Sequence, residues 1–126
     1  MEDRKLVSSD EWLYRRSRLP EKKYLNPDGT ATSRVFKLRA SINETELSVD
    51  VKSMTTAAKA VSDNSKFFLF ELPNTAVAAI DDPQLRAYHD RISDGSNDAH
   101  AVIVGMSIED DITPGLLARA SRKVSI

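Results

Sequence analysis

Residues 33–50 read SRVFKLRASINETELSVD, and their alternation decides the expected fold. Side chains on a strand point to opposite faces in turn. Over residues 35–40, Phe36, Leu38 and Ala40 then share one face and Lys37 and Arg39 the other. Over residues 46–51, Leu47, Val49 and Val51 oppose Glu46, Ser48 and Asp50. Alternation on both sides of a short polar link predicts a half-buried antiparallel hairpin. Two registers keep the apolar faces together. One sets Leu38 opposite Leu47 and Arg39 opposite Glu46; the other sets Leu38 opposite Val49 and Lys37 opposite Asp50. A one-residue slip would set Phe36 against Asp50 and is excluded. Each exposed charge pair is worth about 0.2–1 kcal/mol, against roughly 1.5–3 kcal/mol for each buried apolar side chain. The apolar face therefore governs the pairing.

The chain has 126 residues, 40% of them hydrophobic, which suits one domain with a modest core. No run of about 18 apolar residues suggests a membrane span. The charged start, Met-Glu-Asp-Arg-Lys, does not read as a secretory signal. With no cysteine, disulfides, thiolate catalysis and Cys-ligated metals are excluded, and a cytoplasmic location is expected. Net charge is −1 but unevenly spread. Residues 1–39 hold ten Lys/Arg and six Asp/Glu (+4); residues 40–118 hold five and thirteen (−8); residues 119–126 hold three basic residues and no acid (+3). Differently charged surfaces or intramolecular pairing follow, with solvated faces the plainer reading.

Outward from the hairpin, residues 1–10 are polar and expected to fray. A strand is expected from Trp12 to Arg16, with Leu13 and Arg15 on one face and Trp12, Tyr14 and Arg16 on the other. Pro20, Asn26-Pro27 and Asp28-Gly29 mark a surface loop. Met54, Ala57, Ala58 and Val61 fit a short helix capped by Ser53 or a following Thr and ending near Asn64. KFFLFEL (66–72) reads as a central strand stopped by Pro73. Asn74-Thr75 starts a second short helix with Val77 and Ile80 inward. For residues 84–92 a helix face of Leu85, Tyr88 and Ile92, with Pro83 at its first position, fits better than a strand. Residues 93–98 form a loop, AHAVIVG (99–105) a second central strand, and Glu109, Asp110 and Asp111 an acidic loop. Thr113-Pro114 opens a closing helix with Leu117, Ala120 and Val124 on one side, and Arg119, Arg122 and Lys123 toward its C-terminal end. The expected class is α+β: a mainly antiparallel sheet of four to five strands covered by short helices and a C-terminal helix.

Motifs with chemical meaning are sparse. No phosphate loop, nucleophile elbow or metal-ligand spacing is present, so neither a cofactor nor a metal is expected. His100 on its apolar strand suits a catalytic or ligand role, but a rim histidine bonded to a backbone carbonyl is the commoner use of that position. Glu44-Thr45-Glu46 matches the E-x-E pair of some ADP-ribosyltransferases, and Arg15 with Ser33 would complete an Arg…Ser…Glu set. That family carries the pair on a late strand, whereas here it closes the first hairpin, so a charged turn is preferred. The best patch is basic and aromatic: Trp12, Tyr14, Arg15, Arg16, Arg18, Lys22, Lys23 and Tyr24. Such residues anchor protein interfaces and also bind phosphates and stack on bases.

The order LYRR (13–16), SRVFKL (33–38), ELSVD (46–50) and DAHAVIVG (98–105) before a closing helix resembles small bacterial single-domain proteins of uncharacterised function. The resemblance implies a bacterial, cytoplasmic, single-domain protein. The expected function is that of an accessory protein binding a protein partner through the basic-aromatic patch. The alternative is an enzyme acting on a nucleotide or nucleic acid, ADP-ribosyltransferase-like or nuclease-like, with Arg15, Ser33 and His100 as candidate catalytic residues. Plain nucleic-acid binding stands third. Sheet edges leave room for a homo-oligomer.

Overall fold

Strand β1 (Trp12–Arg18) lies inside an antiparallel sheet of six strands. The others are β2 (Leu47–Val51), β3 (Phe67–Pro73), β4 (Arg86–His89), β5 (His100–Val104) and β6 (Arg122–Lys123), in the order β4-β5-β2-β1-β3-β6. Among the described residues, three α-helices accompany them: α1 (Ala57–Val61), α2 (Asn74–Ala78) and α3 (Thr113–Ala120). The computed structural model describes residues 5–18, 24–63, 65–90 and 98–124. The α+β class with a closing helix is as expected, with one strand more than the upper count.

Strand β1 pairs with β3 along its whole length, from Trp12↔Pro73 to Arg18↔Phe67. Its two faces divide as the alternation predicts. Leu13 enters the main core with Phe70, Leu72, Leu47, Val51 and Ile103. Tyr14 lies on the opposite face with Leu69, Ala60 and Val61, beneath α1. Thr56 caps α1, its Oγ1 accepting from the Lys59 amide at 3.2 Å. KFFLFEL is a strand with neighbours on both sides, and β5 lies between β2 and β4. Helix α3 starts at Thr113-Pro114 and buries Leu117 and Ala118. Asp110 Oδ1 accepts from the amides of Ile112 and Thr113, closing the helix start. Burial alone would push that carboxyl up, but these bonds outweigh it and hold it below the usual carboxylate range.

The hairpin at residues 33–50 does not form. Ser33–Phe36 and Ala40–Ile42 are single 3₁₀ turns, the second closed by Asn43 at φ +51°. Lys37 and Arg39 between them are extended, but no strand pairs with them. The predicted burial survives in part: Phe36 and Leu38 are buried and Arg39 is exposed, while Ala40 is exposed rather than inward and Val35, on the other side in the expected alternation, is buried as well. The alternation thus reported which of Phe36, Leu38 and Arg39 turn inward, which is not the same as a paired strand. Neither expected cross-strand charge pair is made among the described residues. The Arg39 amide and guanidinium both bond Glu44, at 2.7 and 2.9 Å, so the polar link folds onto itself. Lys37 reaches Asp111 at 2.6 Å and the carbonyls of Ile108 and Asp110.

Two further expectations are corrected. Residues 86–89 form a strand, not a helix, paired with β5 from Arg86↔Val104 to His89↔Ala101. Leu85 and Ala87 alternate inward there, and Pro83 sits in the turn between the bridged Asp81 and Gln84. Pairing with β5 satisfies this segment and the β5 edge together, whereas a helix, bonded within itself, would leave that edge unpaired. Within residues 1–10, the part from residue 5 onward is held rather than frayed. Val7 is buried and its amide donates to Ala87 O at 2.8 Å, while His89 donates to Lys5 O at 2.7 Å. The Asn74 amide donates to the carbonyls of Val7 and Ser8. Asn64 and the expected loop at residues 93–97 lie outside the described residues. Among those described, no helix is long and apolar enough to cross a membrane.

Candidate functional site

Strands β1 and β2 part after two pairs, Leu13↔Val51 and Tyr14↔Asp50. Continuing that register would join Arg15 to Val49, Arg16 to Ser48 and Ser17 to Leu47. These pairs are not made. Strand β2 stays with β5 down to Leu47↔Ile103, and β1 stays with β3 down to Arg18↔Phe67. The two strands therefore splay into a wedge. Arg15 spans it, with Nε donating to Val35 O and Nη1 donating to Ser48 O, both at 2.8 Å. The guanidinium replaces the ladder bonds that the diverging backbones cannot make. Its burial pushes Arg15 down to about 10, opposed by the nearby Glu44 carboxylate, so the group stays charged at neutral pH.

A cleft of about 950 Å³ opens at the wedge. It is lined from both sides of the sheet: Arg16, Met54, Lys59 and Phe67 on the α1 side, Arg15, Tyr24, Arg34 and Lys37 on the other. Arg18 and Arg39 also line it, and His100, Asp98 and Asp50 close one part. Lys37 and Arg39 are ion-paired with Asp111 and Glu44. Among the described residues, no ion pair within 4.0 Å engages Arg15, Arg16, Arg18, Arg34 or Lys59. Arg16 lies 4.2 Å and Arg18 5.5 Å from the Phe67 ring centroid, and Arg16 Nη1 donates to Ser62 Oγ at 2.9 Å. These contacts pre-order the guanidinium groups without neutralising them.

The expected basic-aromatic patch is divided by the fold. Arg15, Arg16, Arg18, Tyr14 and Tyr24 line the cleft, though Tyr14 is buried. Trp12 lies instead beside an ion cluster. Arg122 and Lys52 approach its ring to 4.9 and 5.8 Å, and both pair with the buried Glu71. Burial would push the Glu71 carboxyl up, but the bonds from Lys52 and Arg122 hold it below the usual range. Lys22 and Lys23 lie outside the described residues.

The candidate catalytic residues do not assemble. Ser33 lines a second depression with Asn26, Asp28, Thr30 and Arg119, while Arg15 and His100 line the first. Glu44 of the E-x-E pair is taken up by Arg39. His100 Nδ1 lies 2.7 Å from Asp90 O. A carbonyl only accepts, so Nδ1 donates, which is the carbonyl-bonded rim histidine. Among the described residues, no three His, Asp or Glu side chains gather as metal ligands. Arg34 and Lys59 were missed from the sequence because they come from a 3₁₀ turn and from α1, far from the patch in the chain. Set against protein-family models, curated proteins and solved structures, the chain matches none.

Proposed function

We propose that the protein is a non-enzymatic accessory protein that takes an acidic segment of a protein partner in the cleft between β1 and β2. One observation carries this reading: Arg15, Arg16, Arg18, Arg34 and Lys59 gather in one cleft without ion-pair partners among the described residues. A chain of net charge −1 does not gather unpaired cations by composition alone. Their summed field attracts an anionic ligand there. A protein segment is favoured over nucleic acid on two grounds. Arg16 and Arg18 already occupy the Phe67 ring, removing it as a stacking platform. A chain of pI about 6.1 also lacks the overall basic charge that a longer phosphate backbone favours. An enzymatic reading is weakened by the separation of Ser33 from Arg15 and His100. With no cysteine in the chain, a reducing compartment such as the cytoplasm suits it.

The test is fluorescence anisotropy with a labelled oligoglutamate peptide, a neutral peptide of equal length, and single-stranded DNA and RNA oligomers. The acidic peptide is expected to bind, more weakly as salt rises. Arg16→Ala combined with Lys59→Ala should weaken it about tenfold, at roughly 0.7 kcal/mol for each exposed charge. Failure of the acidic peptide to bind at low salt, unchanged binding by the double variant, or tighter binding of an oligonucleotide would each overturn the proposal.

A further inference from the structure

The cleft also has a free backbone edge. Strand β1 meets β3 on one side as far as Arg18, but on its other side no strand pairs with it beyond Tyr14 among the described residues. Among the described residues, 16–18 therefore present an unpaired strand edge inside the basic cleft, the feature that recruits an added strand. We infer that the acidic segment binds in extended form, pairing its backbone with β1 at Arg16, Ser17 and Arg18. This rests on the function proposed above and specifies the partner's conformation and sequence pattern.

The side chains set the pattern. Arg16 and Arg18 are exposed and share one face, while Ser17 between them is buried toward the other. Same-face residues two apart on a strand are separated by roughly 6.5–7 Å. An extended segment with acids at alternate positions places its carboxylates at the same interval and meets both guanidinium groups. Its intervening residues face the side of Ser17 and Tyr24, where a small or apolar side chain can pack. An acidic helix carries its charges three and four residues apart and offers no free amides to the β1 edge. A second copy of this chain is disfavoured as the occupant, because the cleft's unpaired cations would face the same cations.

Four labelled peptides of equal length and charge test the inference by anisotropy: one alternating Glu and Val, one alanine-rich with Glu at helical spacing, and two versions of the alternating peptide N-methylated at every second residue, one for each strand edge. The alternating peptide should bind at least about tenfold more tightly than the helical one. Methylating one edge should weaken binding about tenfold while methylating the other leaves it unchanged, because only one edge can donate to β1. Equal binding of the helical peptide, or indifference to methylation of both edges, overturns the added-strand mode while leaving an acidic-ligand cleft in place. Failure of all the acidic peptides overturns both.

Discussion

Replacing Arg15 with Met tests whether a single side chain holds the β1–β2 wedge. Met keeps most of the aliphatic stem and removes the guanidinium. Two hydrogen bonds are lost, to Val35 O and Ser48 O, each 2.8 Å long. Bonds from a charged donor contribute about 1.5–3 kcal/mol each, and a carbonyl left dry costs about 1–3 kcal/mol. The bond to Val35 O is partly buried and the bond to Ser48 O is exposed, so water can replace only the second. Against this, Met no longer requires a charge to be half-buried, the effect that pushes Arg15 down to about 10. The net expectation is a loss of roughly 1.5–3 kcal/mol. For a chain of this length, that lowers Tm by about 5–12 °C. Arg15→Lys should fall between the two, since an ammonium keeps the charge but cannot fork to two carbonyls. Urea denaturation followed by Trp12 fluorescence and by far-ultraviolet circular dichroism measures the difference. A Met variant within about 0.5 kcal/mol of the parent, or a Lys variant equal to it, would refute the view that the guanidinium closes the wedge.

Three other outcomes follow from the structure. Glu71→Gln should cost about 1–2 kcal/mol, at the low end for a buried pair because Lys52 and Arg122 remain 41% and 66% exposed and rehydrate. The folded carboxyl of Glu71 titrates below its ordinary value of 4.5, so its stabilisation is complete above that pH and disappears as pH falls through the lower folded value. Urea midpoints from pH 7 to pH 3 should thus converge for parent and Gln variant in acid, and a constant difference would count against the ion cluster. Thr56→Ala should cost about 0.5–2 kcal/mol by removing the α1 cap, with amide exchange rising first in α1; unchanged exchange there would contradict the capping role. Gly105→Ala should be among the costliest glycine changes, about 2 kcal/mol or more. Gly105 has φ +117°, and an added Cβ would lie 2.3 Å from Gln84 O, so thermal melting equal to the parent would place the β5 end wrongly.

The faces of the sheet were readable before the structure; its partners were not. The division of β1 into Leu13 and Arg15 against Trp12, Tyr14 and Arg16 holds, as do the inward positions of Leu47, Val49 and Val51. The α1 cap, the KFFLFEL strand and the Thr113-Pro114 helix start were likewise local signals, written in residues a few positions apart. At residues 35–40 the same logic placed Phe36 and Leu38 inward correctly and still inferred a strand that is not there. A buried extended segment and a paired one have the same alternation, because the period records which side is dry and not where the amides point. At residues 84–92, Leu85 and Tyr88 fit a helix face, but an open β5 edge supplied the competing hydrogen bonds.

The candidate site shows the same division. Arg15, Arg16, Arg18 and Tyr24 stood out as a cluster within a short stretch of chain, and they do line one cleft. What they face in the cleft came from Arg34, Ser48 and Lys59 on other segments. Sequence alone determined which residues are apolar, where α1 and α3 start, and which faces of β1 and β2 turn inward, since these follow from neighbours along the chain. Only the tertiary structure decided that β1 and β2 separate after two pairs and that Arg15 bridges the gap. Strand pairing is a contest among distant edges for the same hydrogen bonds, and its outcome depends on the whole sheet at once.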